Sequence, residues 1–346
     1  MTASARPTLR VLSVGPGVTI QDGGRHGYLR YGVTGAGPMD PLAHATANRA
    51  VGNAAGTAAI EVSLGGIEVT VEDGAIAVAV AGGEFEITLN GQTLPPAVTT
   101  LVEPGAKLRL RAGNSGSWCY LAVAGSFALP PVLGSVSTHT RTDIGGLDGR
   151  ALIAGDCLVI DSAQARQPSE TGLIVAPLLD RPADTIRVIL GPQADYFAND
   201  QIENFLAGPW TISARGDRMA CFLEGPRLTH AKGFNIASDG IAMGAIQVPG
   251  EGQPIVLMAD RQSTGGYPKI ATIIGPDLGR LAQARPGITI RFRDVAHAEA
   301  VAARAQESAF LTGPIAIEPL IRTQFTSEFL LGLNLVDGCV DARANA

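Results

Sequence analysis

The chain has 346 residues, of which 46% are hydrophobic and 17% are charged, so it can bury a large core. Its net charge of -6 and its scattered basic residues argue against a protein that neutralises nucleic-acid phosphates. Its apolar runs are far shorter than the roughly 20 residues that a membrane span needs. We therefore expect a soluble protein that binds neither nucleic acid nor membranes.

The N-terminus and the cysteines indicate a cytoplasmic location. The first ten residues carry two arginines but no apolar stretch followed by a small-residue cleavage site, so we predict no secretory signal. The four cysteines form no Cys-x-x-Cys pair, which is typical of reduced, packed thiols.

Short apolar runs separated by glycine and proline predict a mainly β protein with a few short helices. After a strand-like pattern at 10–20, Asp40 is a good helix cap, Pro41 suits the first helical position, and the helix is expected to end near residue 51. Further strands are predicted at residues 59–64, 67–71, 75–80, 84–89, 107–111 and 119–123. Their spacing and their Gly-Gly, Asp-Gly, Asn-Gly and Pro-Gly turns favour a closed or nearly closed barrel.

A second β-rich unit is predicted beyond residues 163–182, which break the pattern and are interpreted as a linker. Its helices are expected at 194–206 and from a cap at Asp294 to about residue 306. Its strands are predicted at residues 185–190, 210–213, 245–248, 255–259, 270–274 and 288–292. The expected division is an N-terminal barrel domain of residues 1–175 and a C-terminal barrel domain of residues 176–346, which ends in a helix and a tail.

Common enzyme signatures are missing from the sequence. It has no phosphate-binding Gly-x-x-x-x-Gly-Lys-Ser/Thr loop, no Gly-x-Gly-x-x-Gly after a strand and no Gly-x-Ser-x-Gly elbow. The five histidines show no spacing that places two imidazoles on one face of a helix, so we predict no metal site.

Polar side chains are packed between glycines near the N-terminus. Glycine lets the backbone approach a ligand or another chain closely, so this segment is a candidate binding region. The alternative is structural, with Asp22 and Arg25 in a turn and Asp40 as the helix cap. The candidate residues of this segment are Gln21, Asp22, Arg25, Asp40 and Asn48.

A second polar cluster follows the predicted strand at 255–259. Arginine and side-chain amides can orient an amide or a carboxylate through paired hydrogen bonds. The candidate substrate-binding residues are Gln247, Arg261, Gln262, Thr264 and Gly266.

Three further side chains of this cluster are candidates for proton transfer, namely Asp260, Tyr267 and Lys269. Burial can shift the pKa of a carboxyl or an ammonium group into the working range. Two structural alternatives remain open at this point. Lys269 could end a hairpin in solvent, and Asp260 could form a structural ion pair with Arg261.

These two segments also carry a resemblance. The run from Pro16 to Gly27, followed by Gly37-Pro-Met-Asp40, is similar to the opening of the allophanate-hydrolase-subunit-2 family. The run ending in Thr264-Gly-Gly-Tyr-Pro-Lys269 is similar to the family's most characteristic stretch, and the tail at 334–341 matches as well. The chain is identified as a member of this family, also known as KipA and as the carboxyltransferase A/B domain of urea carboxylase. The resemblance implies two tandem cyclophilin-like β-barrels.

The resemblance also implies a function. It points to the C subunit of an ATP-dependent bacterial 5-oxoprolinase, inactive alone, which opens the cyclic amide 5-oxo-L-proline to L-glutamate. The implied partners are the A subunit of that enzyme and a B subunit of the KipI type, related to allophanate hydrolase subunit 1. ATP is expected at an interface between the subunits or on a partner.

Two alternatives stay open. One is a regulatory protein that antagonises a KipI-type kinase inhibitor. The other is the carboxyltransferase component of a biotin-dependent urea or allophanate system. Because no methionine adjoins a lysine, the Met-Lys-Met attachment signal is missing, and we expect no covalent biotin on this chain.

One position departs from the family pattern. Where relatives usually have an arginine, this chain has Phe222 in the run Asp217-Arg-Met-Ala-Cys-Phe. The change removes a charge and up to five hydrogen-bond donors. We expect Phe222 to alter the substrate or its affinity.

Overall fold

The computed structural model describes residues 6–161 and 171–320, together with residues 327 and 330. This part of the chain is mainly β, as predicted, and it contains four α-helices. The helices are α1 (Pro41–Ala50), α2 (Asn199–Ala207), α3 (Gly275–Gln283) and α4 (His297–Thr312). The predicted tail at 334–341 lies outside the described residues.

Among the described residues, eleven strands of the first half of the chain and one strand that follows the barrel build a branched sheet of twelve strands. Numbered in chain order, its strands are β1 (Thr8–Val14), β2 (Thr19–Gln21), β3 (Ala59–Val62), β4 (Ile67–Glu72), β5 (Ile76–Leu89), β6 (Gln92–Leu94), β7 (Val98–Val102), β8 (Lys107–Val123), β9 (Ser126–Phe127), β10 (Cys157–Asp161), β11 (Gly172–Val175) and β21 (Ala316–Pro319). The main path of the sheet runs β21-β11-β7-β5-β8-β4-β1-β10-β9, while β3 joins β2 to β8 and β6 pairs with β5.

The first residues of β5 form a continuous apolar run because both faces of the strand are buried there. Its Ile76 and Val78 lie in the main core of the sheet, whereas Ala77 and Ala79 on the opposite face lie in a second, alanine-rich layer. Helix α1 contributes alanines such as Ala43 to that layer. Small residues on both sides let the helix lie close to the sheet, so both faces of the strand are buried.

Two pairs of predicted strands are each one long strand. The strands predicted at 75–80 and 84–89 form β5, and those at 107–111 and 119–123 form β8. The predicted Gly-Gly turn at Gly82 and Gly83 is wrong, because the ladder between β5 and β8 continues through it with a shift in register. Glycine allows such a bulge, since a side chain at Gly82 would meet the carbonyl oxygen of Trp118 at 2.6 Å.

The second half contains a closed barrel of seven strands. The strands are β12 (Thr185–Leu190), β13 (Trp210–Ile212), β14 (Ala220–Glu224), β16 (Ala245–Gln247), β17 (Ile255–Leu257), β19 (Lys269–Ile273) and β20 (Thr289–Asp294). Their order around the barrel is β12-β19-β16-β17-β14-β13-β20, and the core is formed by large side chains that include Phe205, Trp210 and Phe292. A separate two-stranded ladder, β15 (Asp239–Gly240) with β18 (Thr264–Gly265), lies outside the barrel.

Three helix predictions need correction. Residues 194–196 form a single 3-10 turn, and α2 begins only at Asn199 because Phe197 and Ala198 are extended. Asp294 does not cap a helix, since it pairs with Val188 at the end of β20 and α4 begins three residues later. Helix α3 was not predicted, although Pro276 occupies a position in its first turn that suits proline.

The predicted linker at 163–182 is only partly described, because residues 162–170 lie outside the described residues. Its later part contains β11, which pairs with β7 and with β21 in the first sheet. Strand β21 follows the barrel in sequence, so the chain returns to the first sheet after α4. The division at residue 175 coincides with the end of β11 and stays a prediction. The two halves also meet through α3, which packs against α1 and β8.

Candidate functional site

A buried arginine joins the two halves of the chain. Arg218, which precedes β14, donates from Nε and Nη2 to both carboxylate oxygens of Asp260, each at 2.9 Å. Its Nη1 donates to Glu61 on β3, and its Nη2 also donates to the carbonyl of Gly37 at 2.8 Å. The exposed fractions are 7% for Arg218, 4% for Asp260 and 0% for Glu61. The guanidinium therefore connects two carboxylates that belong to opposite halves.

The second oxygen of Glu61 extends this network. It accepts from the backbone N–H of Met39 and from the hydroxyl of Tyr120, each at 2.8 Å. Glu61 and Tyr120 are direct partners in the β3–β8 ladder, which places their side chains on one face. The Tyr120 oxygen in turn accepts from the backbone N–H of Asp40 at 2.8 Å. These bonds hold the loop before α1 against the sheet.

Asp40 makes the second connection between the halves. It caps α1 by accepting from the Ala43 N–H at 3.3 Å, as the sequence predicts. Its carboxylate also accepts from Arg181 at 2.8 and 2.9 Å and from the side-chain amide of Gln283 at 2.9 Å. Gln283 lies at the end of α3, and its own oxygen accepts from the Trp118 N–H on β8. A single cap residue thus fixes helix α3 to the first sheet.

Burial and charge shift the ionisation of this group. Burial raises the pKa of Glu61, although the charge of Arg218 opposes that shift. Burial alone lowers the pKa of Arg218, but the carboxylates of Glu61 and Asp260 outweigh it and raise that pKa above its ordinary value. The arginine is therefore charged at every accessible pH.

A cleft of about 420 Å³ opens beside this network, and residues of both halves line it. Arg218 and Asp260 lie in its wall together with Cys221. Arg141 and Asp217 also line it and form an exposed ion pair of 3.1 Å between the halves. Burial raises the pKa of the Cys221 thiol to about 12, so the thiolate needed for nucleophilic chemistry does not form near pH 7.

Most of the predicted N-terminal polar segment braces a loop. The Asp22 carboxylate accepts from the hydroxyls of Ser135 and Ser137, each at 2.6 Å. Arg25 donates from Nε to the carbonyl of Val132 at 2.9 Å and from Nη2 to the carbonyl of Ser137 at 3.0 Å. Asp22 Oδ1 also accepts from the Gly24 N–H at 2.9 Å within the predicted turn, but its carboxylate does not bond to Arg25, and both side chains bind the 132–138 loop.

Two further members of that segment are also engaged inside the chain. Gln21 donates to the carbonyl of Thr138 at 3.0 Å and accepts from the Gly37 N–H at 3.1 Å. Asn48 donates to the carbonyl of Thr57 at 2.8 Å. Both side chains are 0% exposed. Of the segment's candidates, Asp40 alone takes part in the network between the halves.

The second polar cluster divides into two places. Asp260 lies in the cleft and pairs with Arg218, so the predicted structural pair between Asp260 and Arg261 is wrong. Arg261 instead donates to the carbonyl of Ile241 at 2.9 Å. Lys269 does not end a hairpin in solvent, because it is 3% exposed and its Nζ lies 2.7 Å from Asp239 Oδ2.

The remaining candidates differ in burial and in their contacts. Gln247 is the ladder partner of Lys269 and is 2% exposed. Thr264 lies in the small ladder β15–β18, and the Gly266 carbonyl accepts from the Ile236 N–H at 2.8 Å. Gln262 is exposed and Tyr267 is 40% exposed. The structure therefore pairs Gln247 with Lys269, and the ladder that contains Thr264 contacts Lys269 through Asp239.

Sequence reasoning missed Glu61, Arg218 and Tyr120. One signal was available, since Glu61 is a charged residue inside the otherwise apolar strand Ala-Ile-Glu-Val. Phe222, expected to alter the substrate, is half-buried on β14 and is not among the residues that line the cleft. The guanidinium of Arg215 lies 4.9 Å from the centre of its ring, so a cation is still present there.

Two further observations limit the chemistry of the described residues. They contain no cluster of three or more His, Cys, Asp or Glu side chains that could hold a metal ion. None of their helices combines the length and the apolar character needed to span a bilayer.

Comparison with known proteins defines the family. The carboxyltransferase domain family, subdomain A and B, matches residues 31–294. The chain is 38% identical over 301 residues to the 5-oxoprolinase C subunit of Haemophilus influenzae, covering 87% of this chain and 96% of that protein. It is also 38% identical, over 307 residues, to the protein of the same name from Escherichia coli.

Solved structures share the fold. The crystal structure of TTHA0988 has a TM-score of 0.75 at 36% identity, and the match covers 83% of this chain and 55% of that chain. The crystal structure of the K. lactis urea amidolyase has a TM-score of 0.83 at 28% identity, covering 90% of this chain but 20% of that chain. This chain therefore corresponds to about half of the first structure and to a fifth of the second. The protein belongs to the carboxyltransferase domain family, subdomain A and B.

Proposed function

We propose that this chain is the C subunit of a 5-oxoprolinase, an enzyme complex that opens 5-oxo-L-proline to L-glutamate in the cytoplasm. The observation that carries the proposal is the 38% identity to proteins named as 5-oxoprolinase C subunits, across 96% of the length of the Haemophilus influenzae protein. That name implies partner subunits, and we infer that a KipI-type B subunit and an A subunit complete the enzyme. On this view the isolated chain is inactive.

The cleft between the halves suits a small cyclic amide that carries a carboxylate. A guanidinium has five N–H donors. Arg218 uses four of them, two in bonds to Asp260, one to Glu61 and one to the carbonyl of Gly37. One hydrogen, on Nη1, is thus left without an assigned acceptor among the described residues. In the proposed site it donates to the substrate, where a charge-assisted hydrogen bond both binds and polarises a carbonyl or carboxylate oxygen.

Asp260 is the candidate general base of this site. In the reaction a water oxygen bonds to the ring carbonyl carbon, the carbon–nitrogen bond breaks, and the nitrogen takes a proton. A carboxylate held by two bonds from Arg218 keeps lone pairs that can accept the proton of that water. The pairing also fixes its orientation, which is what positioned acid–base catalysis requires.

The arginines that line the cleft are poorly suited to bind the phosphates of a nucleoside triphosphate. Arg218 already balances two carboxylates and keeps a single N–H, which the proposed site gives to 5-oxo-L-proline, and Arg141 pairs with Asp217. A phosphate chain needs cations that are free to bind it. We therefore assign ATP hydrolysis to a partner protein of the complex and derive no step of it from this chain.

The test is reconstitution. The purified A, B and C subunits are mixed with 5-oxo-L-proline and ATP, and glutamate and ADP are measured. We expect turnover that requires this chain and falls at least 100-fold with Asp260→Asn, because an amide cannot accept the proton. Asp195→Asn removes a carboxylate from the exposed pair with Lys232 and is the matched control. Failure of the wild-type mixture to release glutamate above background would sink the proposal.

Carboxyl transfer is the second candidate, because the TM-score to the K. lactis urea amidolyase is 0.83 over 90% of this chain. A biotin carrier would then come from another chain. Adding a carboxylated biotin carrier and urea to the same mixture distinguishes the two, since transfer of the carboxyl group to urea favours this candidate. Inhibition of a KipI-type protein without any turnover would instead favour the regulatory alternative.

A further inference from the structure

A second cavity, of about 590 Å³, is also lined by residues of both halves of the chain. Ser115 of β8 comes from the first half, and Arg285, which follows α3, comes from the second half. The cavity shares Ala284 with the wall of the cleft beside Arg218, and its other lining residues are different. It is therefore a separate place in the structure.

Two guanidinium groups in the wall of this cavity carry N–H donors that are not used. Arg181 bonds to Asp40 through Nη2, while its Nε is buried and has no acceptor among the described residues. Arg285 donates from Nε to the carbonyl of Gly116 at 2.7 Å, while its Nη2 is buried and lacks an acceptor within the same part of the chain. A buried donor without a partner is costly, so two of them at one cavity indicate a missing acceptor.

Positive charge is in excess around these donors. The single carboxylate of Asp277 is shared by Arg187 and Arg280. Arg285 has a carbonyl as its acceptor and no carboxylate among the described residues. The further carboxylates nearby are exposed, namely Glu84, Asp180 and Asp184. Because water and salt screen exposed charges, the cavity favours an anion.

The arrangement of the free donors suits a tetrahedral oxyanion. A planar carboxylate is bound best by two parallel N–H groups of one guanidinium. The fork formed by Nε and Nη2 is interrupted in both arginines, because Arg181 already uses its Nη2 and Arg285 already uses its Nε. Single donors from separate side chains fit the three terminal oxygens of a phosphoryl group. The hydroxyl of Ser115, which is exposed in the same wall, offers one more donor.

Apolar side chains line the rest of the cavity, which is much larger than a phosphate ion. Ile288 belongs to the wall and is 48% exposed, and Leu179 is half-buried there. Pro96 and Ile174 also belong to the wall. An apolar group on the ligand would cover these side chains, and its contribution to binding grows with the area removed from water.

We propose that this cavity binds a phosphate monoester with an apolar body. The phosphoryl oxygens accept from Arg285 Nη2 and Arg181 Nε, which gives both unpaired donors an acceptor. The negative charge of the ligand balances the excess of arginine. The apolar body lies against Ile288 and Leu179.

Isothermal titration of the purified chain with phenyl phosphate tests the oxyanion contact. We expect Arg285→Met to weaken binding at least tenfold, because it removes both the charge and the free donor. Arg293→Met removes an exposed arginine that pairs with Glu299, so it is the matched control and should bind like the wild type. Far-UV circular dichroism checks folding, and Arg285→Gln replaces Arg285→Met under the same criteria if the methionine variant does not fold.

Inorganic phosphate and benzoate separate the two parts of the ligand. The wild type should bind inorganic phosphate at least tenfold more weakly than phenyl phosphate, because the ion lacks the apolar body. It should bind benzoate at least tenfold more weakly as well, because no side-on fork is free for the carboxylate. Ile288→Ser should reduce the preference for phenyl phosphate over inorganic phosphate at least threefold. Val301→Ser, at an exposed apolar position on α4, is its control and should leave that preference unchanged.

The inference is overturned if the wild type binds no phenyl phosphate, or if the folded Arg285 variant binds it as tightly as the wild type. Equal affinity for benzoate or for inorganic phosphate contradicts the assigned class of ligand. The inference does not rest on the proposed function, because binding is measured on this chain alone. A reconstituted mixture that fails to release glutamate leaves the result unchanged.

Discussion

Glu61 and Arg218 are 157 positions apart in the chain and form a buried ion pair. Glu61 belongs to the first sheet and Arg218 to the barrel half, so the pair fixes one half to the other. Removing one member leaves the other charge buried without compensation. The relative position of the halves, and with it the cleft, therefore depends on this contact.

Arg218→Met should strongly destabilise the protein. Loss of one partner from a buried ion pair costs about 3–5 kcal/mol, and here both Glu61 and Asp260 lose their partner. The free energy of unfolding is measured by urea denaturation. Arg293→Met, the control, removes an exposed ion pair with Glu299 and should change the free energy of unfolding by less than about 1 kcal/mol. Equal effects of the two variants would contradict this account of the network.

Gly279→Ala should also destabilise the protein, against the usual trend. Alanine within a helix normally stabilises by about 1 kcal/mol relative to glycine. At this position the new Cβ would lie 2.3 Å from Asp40 Oδ1, which the bond from Arg181 holds in place. We expect the free energy of unfolding to fall by roughly 1–3 kcal/mol, because the Asp40 carboxylate must move away from the new methyl group.

The control for that variant is Gly240→Ala, because a Cβ on Gly240 meets no atom within 4 Å. Thermal unfolding of both variants gives the comparison. A Gly279→Ala protein that is as stable as the wild type would show that Asp40 can move without cost.

His44 should make stability depend on pH. Burial lowers its pKa from 6.5 to about 4, and its Nε2 lies 3.1 Å from the Gln21 carbonyl. The unfolded chain takes up a proton on this imidazole near pH 6.5, whereas the folded chain does so only near pH 4. The stability from this group is therefore complete above pH 6.5 and is lost as the pH falls to 4, by roughly 3 kcal/mol.

The measurement is the free energy of unfolding between pH 7 and pH 4.5. His44→Gln should reduce its slope, whatever it does to stability at pH 7, and His26→Gln, at an exposed position, should leave the slope unchanged. An unchanged slope in His44→Gln would refute the assignment.

Cys221→Ser should leave turnover of the reconstituted complex within about twofold of the wild type. Its thiol lies in the cleft wall, but with a pKa of about 12 it supplies almost no thiolate near pH 7. Glutamate release by the two complexes is compared directly. A loss as large as that of Asp260→Asn would make Cys221 a catalytic residue.

Local patterns predicted the elements well where local forces decide them. The Asp40 cap and the helix after Pro41 were read correctly, since a cap requires only residues within one turn. The Asn90-Gly91 turn is confirmed as well, because both residues have positive φ and the flanking Leu89 and Gln92 are partners. The sequence pattern did not predict that the two strands on either side of Gly82 and Gly83 are one strand. A bulge is defined by its pairing with the neighbouring strand, here β8, which a local pattern does not contain.

Local sequence patterns are enough to predict the β class, the helix cap and the polar runs from which the family resemblance comes. The partners of those polar residues depend on the fold, because ion pairs form between side chains that are distant in the chain. A pair between Asp260 and Arg261 was one open alternative, and Asp260 instead bonds to Arg218, 42 positions earlier. Lys269 was predicted either to end a hairpin in solvent or to transfer protons, and it is buried and bonds to Asp239 of β15. Asp260 and Arg261 lie after β17, outside any strand, and their side chains diverge to Arg218 and to the carbonyl of Ile241.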